Sequence, residues 1–483
     1  MKSVYSKSFL KLTNVSMAKN PNAILSLAIL FITSLSACSA VSPTTPTAPN
    51  QSQSPAPAPA PAITWPTEIA PASVACPEGV PSGAKCLRGK DSAGAPYLIV
   101  TPKTWTGVLI VHAHGGPFLG APTDARADED IKRWNIIVRE GHAYAASVFR
   151  QGGFAVTTAA EDTERVRRIF LTHVATPRIT LLHGQSWGAM AATRAAELFP
   201  KSWQGVLLTS GVVAGHTTYD FRIDIRALYQ QLCGNHPRPS EPQYALNLGL
   251  PVGSTMTNAD LASRVNDCLA LNKPAAQRSA EQQQKIMTLV NVLKTPENSL
   301  LSHLSWGTFT LADVTRRHGG APIGNSTVKY IGSSDDTALN AALDKTGLRF
   351  TANAAARTSF LADVEHAGRF AVPVLTAHGV DDSTVFVEGG DTLRVRMNAA
   401  GNGSRLVQTV VDSREHSYWG DALYPPLFSA LLKWVEKGDK PSPQTIAQEC
   451  SLLANSTQGA NPAECRFLPN YVVRPLSTRV TLR

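Results

Sequence analysis

The chain has 483 residues, 43% hydrophobic and 17% charged, a globular balance that excludes wholesale disorder and a length beyond one domain of roughly 100–200 residues. Its formal charge of +9 includes Lys2, Lys7, Lys11 and Lys19 in an acid-free N-terminal segment, and without those four it is +5. No dense basic run or aromatic-basic module accompanies that mild charge, so the composition lacks the marks of a nucleic-acid binder and reads as a solvated basic surface.

At the N-terminus the lysines precede an apolar run, Ala23 to Leu35, and then Ser36-Ala37-Cys38. The run is shorter than the roughly 20 residues a membrane span needs, so residues 1–37 read as an export signal, with Met17 an alternative start. Leu35-Ser36-Ala37-Cys38 resembles a bacterial lipoprotein lipobox. That resemblance implies cleavage before Cys38, lipidation of its thiol and, with Ser39 following, anchoring to the outer membrane. The other cysteines, Cys76, Cys86, Cys233, Cys268, Cys450 and Cys465, form three sequence-local pairs without CxxC spacing. Six cysteines allow 15 connectivities; short loops favour Cys76–Cys86, Cys233–Cys268 and Cys450–Cys465, structural disulfides in an oxidising compartment. Residues 38–66 collapse to Pro, Ala, Ser, Thr and Gln, a semi-rigid polyproline spacer.

Short apolar runs follow at Tyr97–Val100, Val108–Ala113 and Ala143–Val148, then an amphipathic segment from Glu161 to Thr172. Ile179–His183 predicts a strand, Ala189–Phe199 a helix and Gly205–Thr209 another strand. This alternation is that of a mostly parallel sheet flanked by helices, over 67–211. The rhythm stops across 212–370, a largely helical stretch read as an inserted cap. It resumes over 371–440 with strands at Val372–Ala377 and Leu406–Val411 and a helix near Pro425–Lys437; 441–483 is a C-terminal tail.

Four elements carry chemistry. Gly184-Gln185-Ser186-Trp187-Gly188 fits G-x-S-x-G between a strand and a helix, the setting of a nucleophile elbow, in which a tight turn presents the serine at a helix N-terminus. His112-Ala-His114-Gly115-Gly116-Pro117 follows an earlier strand, where glycine N–H groups can approach an oxyanion together with that of Trp187. A plain Gly-Gly-Pro turn is the alternative, and the His112-x-His114 pair has no evident third ligand nearby, which argues against zinc. His378-Gly-Val-Asp381-Asp382-Ser-Thr-Val385 follows the next strand and resembles the acid loop of α/β-hydrolases, placing the carboxylate on Asp382, with Asp381 one residue out of step. His416 alone among histidines lies beyond Asp382; Ser186, Asp382, His416 reproduces that fold's Ser…Asp…His order. His366 precedes the acid, and His183 beside the elbow reads as support for the turn.

The resemblance to the α/β-hydrolase superfamily covers about 95–211 and 370–437. It implies an α/β-hydrolase fold with an inserted cap and a serine hydrolase passing through an acyl-enzyme, ester cleavage being the lead reading. The motifs His114-Gly-Gly-Pro117 and Gly-x-Ser-Trp-Gly also look like parts of the prolyl iminopeptidase and prolyl oligopeptidase families, although the elbow continues Gly188-Ala189 and no propeller precedes the core. An exopeptidase needs a cap carboxylate for the substrate amine, with Glu281, Glu297, Asp313, Asp335 and Asp336 as candidates. A non-catalytic surface lipoprotein is a third reading, against which the intact Ser186, Asp382 and His416 argue. The cap is expected to roof the pocket and set specificity, with Tyr219, Phe221, Tyr229, Trp306, Phe309 and Tyr330 mostly serving as packing. No cofactor motif, neither GxGxxG nor a P-loop, is present.

Overall fold

The computed structural model describes residues 64–456 and 461–481. The export segment, Cys38 and nearly all of the Pro/Ala-rich stretch lie outside them. Nine strands form one sheet: β1 Ala72–Val74, β2 Lys85–Lys90, β3 Pro96–Thr101, β4 Val108–Ala113, β5 Ala143–Ser147, β6 Ile179–Gln185, β7 Gly205–Thr209, β8 Val374–Gly379 and β9 Leu406–Val411. Their spatial order is β1-β2-β3-β5-β4-β6-β7-β8-β9. From β5 to β9 all neighbours are parallel; β3 pairs antiparallel with β5, β2 with β3 and β1 with β2. A mostly parallel sheet with helices on both faces, and with β4 and β5 exchanged in space, is the α/β-hydrolase fold expected from the alternation.

The apolar strands stay in place because both sheet faces are covered. Leu109 and Val111 of β4 join one buried cluster, with Phe170 and Ala192 from the helices Val156–His173 and Gly188–Leu198. Their neighbours Val108 and Ile110 join another, with Trp134 and Leu427 from the helices Asp124–Trp134 and Tyr424–Lys437. That division is the two-residue period of a strand.

Strands β4, β7 and β9 have the predicted bounds. β8 lies two residues later than expected, at Val374–Gly379, because its ladder with β9 runs from the pair Val374–Leu406 to the pair Gly379–Val411. The helix predicted from Glu161 begins at Val156. β1 and β2 lacked a strand signal: β2 carries Lys85, Arg88 and Lys90 and lies near the sheet edge. Between β7 and β8, no strand occurs among the described residues; helices extend from Thr217–Cys233 to Ala354–Val364. The tail is more than an appendage. It contains the helix Pro443–Ser456, and beyond it Phe467 bridges Val411 on the free edge of β9, where the Leu468 N–H donates to the Val410 carbonyl at 2.8 Å.

Disulfides join Cys76–Cys86, Cys233–Cys268 and Cys450–Cys465, the pairing that short loops favoured. No helix among the described residues is long and apolar enough to cross a membrane.

Candidate active site

Ser186 sits where β6 gives way to the helix Gly188–Leu198. Its φ is +55°, a left-handed conformation that costs a non-glycine residue roughly 1–3 kcal/mol and persists only where its surroundings enforce it. They do so here by close approach. A Cβ on Gly184 would lie 2.6 Å from Ala192 Cβ and 2.7 Å from Ala189 Cα, and one on Gly188 would run into the Ala113 carbonyl oxygen. Only glycine fits on either side of this serine. The turn is pinned by Ser186 N–H donating to the Thr209 carbonyl at 3.0 Å and by the Ser186 carbonyl accepting from Val212 N–H at 2.9 Å.

From that turn a hydrogen-bonded chain crosses the ends of three strands. Ser186 Oγ lies 2.7 Å from His416 Nε2, and His416 Nδ1 lies 2.7 Å from Asp382 Oδ2. A carboxylate only accepts, so Nδ1 carries the proton and Nε2 faces the serine hydroxyl as an acceptor. Asp382 Oδ1 accepts from the N–H groups of Thr384 at 2.9 Å and Val385 at 3.0 Å. Its side chain is fully buried, while that of His416 is 21% exposed. Burial opposes ionisation of Asp382, but hydrogen bonds and charge from His378 and His416 outweigh it and hold the carboxyl below its ordinary range. The neighbouring Asp381 is 59% exposed and faces Arg414 at 3.6 Å. Only one of the two aspartates is brought to His416.

The two glycines of the His114-Gly-Gly-Pro117 loop follow β4, one strand over. His114 Nδ1 donates to the Gly115 carbonyl at 2.6 Å, which turns that peptide's other edge, the Gly116 N–H, away from the ring. Trp187 immediately precedes the helix that follows the serine, so its N–H is among the donors that a first helical turn leaves unpaired. His112 and His183 are drawn into the core instead: their Nδ1 atoms lie 3.0 Å apart, and His183 Nε2 is 2.9 Å from Thr209 Oγ1. Burial lowers both; it brings His183 down to about 3, and the adjacent His183 adds to the effect on His112. His366 faces the Val213 carbonyl at 2.9 Å and takes no part.

Sequence reasoning missed Gln185. Its Nε2 donates to Ser417 Oγ at 2.7 Å, and its Oε1 occupies the space a Cβ on Gly115 would need. One buried amide therefore touches the glycine loop, the serine turn and the histidine loop. It stands in a variable slot of the motif, so the pattern gave no reason to single it out.

The five carboxylates singled out between β7 and β8 each have a partner of their own. Glu281 pairs with Lys285 and Glu297 with Arg278, both at 2.7 Å. Asp335 accepts from Ala338 N–H at 2.9 Å and Asp336 from Ser333 Oγ at 2.6 Å. Asp313 accepts from Phe154 N–H at 2.6 Å and pairs with Arg317 at 2.7 Å. Of the six aromatics named there, Tyr219, Phe221, Tyr229 and Tyr330 are buried; Trp306 and Phe309 pack against the cluster of Tyr219, Tyr229 and Tyr330, and Phe221 lies in a separate one with Phe386.

No family model matches the chain, and no curated protein does. Among solved structures it is similar to feruloyl esterase B from Aspergillus oryzae, at 14% identity over 78% of this chain and 87% of that one, with a TM-score of 0.39. It is also similar to the rice cell wall degrading esterase LipA from Xanthomonas oryzae (13%, 74% and 90%, TM-score 0.37) and to an esterase from Aspergillus oryzae (12%, 79% and 86%, TM-score 0.39). These likenesses are loose in both sequence and superposition, and the chemistry of the site rests on its own geometry.

Proposed function

We propose that this chain is a serine hydrolase that cleaves carboxylic esters through Ser186, His416 and Asp382. The observation that carries the reading is the 2.7 Å and 2.7 Å relay from Ser186 Oγ through His416 to a buried Asp382, with the serine in a strained turn ahead of a helix. In this mechanism His416 Nε2 takes the hydroxyl proton as Ser186 Oγ attacks the substrate carbonyl carbon. The oxyanion of the tetrahedral intermediate is held by N–H groups of Trp187 and of the Gly115-Gly116 loop. Asp382 stabilises the imidazolium, which protonates the departing alkoxide and leaves an acyl-serine. Water, deprotonated by His416, then attacks the acyl carbon, and Ser186 recovers its proton as the acid leaves.

Ester cleavage is favoured over the exopeptidase reading because none of the five candidate cap carboxylates lines the cavity beside Trp187, where a substrate ammonium would need one. The test is a panel of nitrophenyl esters and aminoacyl anilides, run on the wild type and on Ser186→Ala. Ester turnover abolished in the variant is the expected result. Prolyl anilide turnover far above ester turnover overturns the substrate class, and unchanged activity in the variant overturns the mechanism.

The same reading places the enzyme outside the cytoplasm, lipid-anchored at Cys38 to the outer membrane and held off the bilayer by the Pro/Ala-rich spacer. The three disulfides support an oxidising compartment. A Cys38→Ser variant is expected to leave the membrane fraction; one that stays refutes the anchor.

A further inference from the structure

A cavity of about 360 Å³ adjoins the candidate oxyanion side of the site, within the range of small-molecule pockets. It touches Trp187, next to the nucleophile, and His114 and Pro117 of the glycine loop. None of its lining residues belongs to the 212–370 insertion. The reason is local: the chain after β4 and the chain after β5 fold together over the strand ends, joined by Gly153 N–H donating to the Phe118 carbonyl at 2.5 Å. The insertion acts one step back. Its Asp313 and Arg317 hold that second loop through Phe154 N–H, Gln151 Oε1 and the Gly152 carbonyl.

Four flat rings border the cavity: Phe118, Phe149, Trp187 and the His114 imidazole. Phe118 is 48% exposed, as is its neighbour Leu119, so two large apolar side chains stand half-exposed at the lip, with Arg126 over one face of the Phe118 ring. Phe149 has φ +64°, a genuine outlier for a bulky residue. It is stacked on His114 at 4.2 Å and meets the edge of Trp187 at 5.9 Å. The one cation in the wall, Arg126, lies 4.0 Å over the Phe118 ring and is neutralised by Asp130 at 2.8 Å and Glu129 at 3.2 Å. The wall's one carboxylate, Glu129, is paired to the same arginine, so the lining offers aromatic faces and no unpaired ion, an environment that favours an uncharged planar group.

We propose that this cleft is the subsite for an uncharged aromatic group of the ester substrate, with Phe118 as the residue that selects it. The inference rests on the ester-hydrolase reading for the position of the scissile carbonyl, and its test separates the two. Methyl 3-phenylpropanoate and 2-phenylethyl acetate are compared with methyl butanoate and butyl acetate in the wild type, Phe118→Ala, Phe118→Tyr and, as a control in a distant groove of the insertion, Tyr244→Ala. Phe118→Ala is expected to lower kcat/KM for at least one phenyl ester about tenfold, the worth of one aromatic contact with its buried area. The alkyl partner should change less than about twofold, and Phe118→Tyr and Tyr244→Ala should keep the wild-type preference. Equal losses on phenyl and alkyl esters, or no loss on either, overturn the proposal. Calorimetric binding of the uncleaved phenyl esters to Ser186→Ala, with and without Phe118→Ala, tests the cleft even if no ester is turned over. Weaker binding after Phe118→Ala supports it; equal affinity overturns it.

Discussion

The residues of the sheet scaffold and those of the 212–370 insertion contribute to the site in different ways. The scaffold supplies every group in the relay and every residue lining the adjoining cavity. The insertion supplies carboxylates that seize backbone N–H groups of the scaffold. Asp363 accepts from Val156 and Thr157 N–H at 3.0 and 2.8 Å, capping a helix whose own N-cap residue, Ala155, has no side-chain acceptor. Asp313 does the same for Phe154, and the scaffold answers with Glu197, which accepts from Ala367 and Arg369 N–H at 2.8 and 2.9 Å. The lesson is a division of labour: strand ends position the groups of the relay, while the insertion fixes the loops around them through directional polar latches.

That division can be broken first at the relay, where the largest effects are expected. Ser186→Ala and His416→Ala should each lower kcat by roughly 10⁴–10⁶-fold, measured on a nitrophenyl ester. Asp382→Asn should cost about 10³–10⁴-fold and Asp381→Asn less than about twofold; the reverse pattern would move the acid by one residue.

Acid sensitivity compares the two regions directly. Burial lowers His142 to about 4 and His183 to about 3 in the scaffold. In the insertion, burial with nearby arginine charge takes His236 to about 2 and His303 to about 3. Each folded value lies below the unfolded one near 6.5, so the unfolded chain gains protons first as pH falls. Stability is fully present above pH 6.5 and declines toward the folded values, by at most about 1.4 kcal/mol per histidine per pH unit. Urea unfolding between pH 7 and 4 should show that slope, and His142→Gln or His303→Gln should flatten it; an unchanged slope counts against the buried neutral histidines.

The latches come next. Asp363→Ala and Asp313→Ala should each destabilise by about 1–3 kcal/mol, the cost of orphaning backbone donors, read as a lower denaturation midpoint. If activity toward phenyl esters survives undiminished in Asp313→Ala, the insertion is not shaping the cavity loop. Gln185→Ala is expected to cost about tenfold in kcat with KM little changed, since it orients groups without touching substrate. Ser417→Ala should share that loss rather than add to it, which a double-mutant cycle measures.

Much of this was legible in the linear chain. Apolar runs such as Val108–Ala113 and Gly205–Thr209 are short, bounded and buried on both faces, so their composition alone marks them as central strands. Each candidate catalytic residue follows its own such strand, which makes the order Ser186, Asp382, His416 readable. The glycines at 184 and 188 mark a tight turn by themselves. Three things only the tertiary structure decided. The choice of Asp382 over Asp381 depends on the turn after β8, where one residue's shift reverses which carboxylate is buried against His416. The role of Gln185 depends on Ser417, 232 residues away, a pairing without local periodicity. The cavity wall depends on two loops meeting across the strand ends, a contact between polar backbone groups that leaves no pattern in either segment. Strand and turn preferences act between near neighbours and so are written locally; contacts between loops are set by where the whole sheet delivers them.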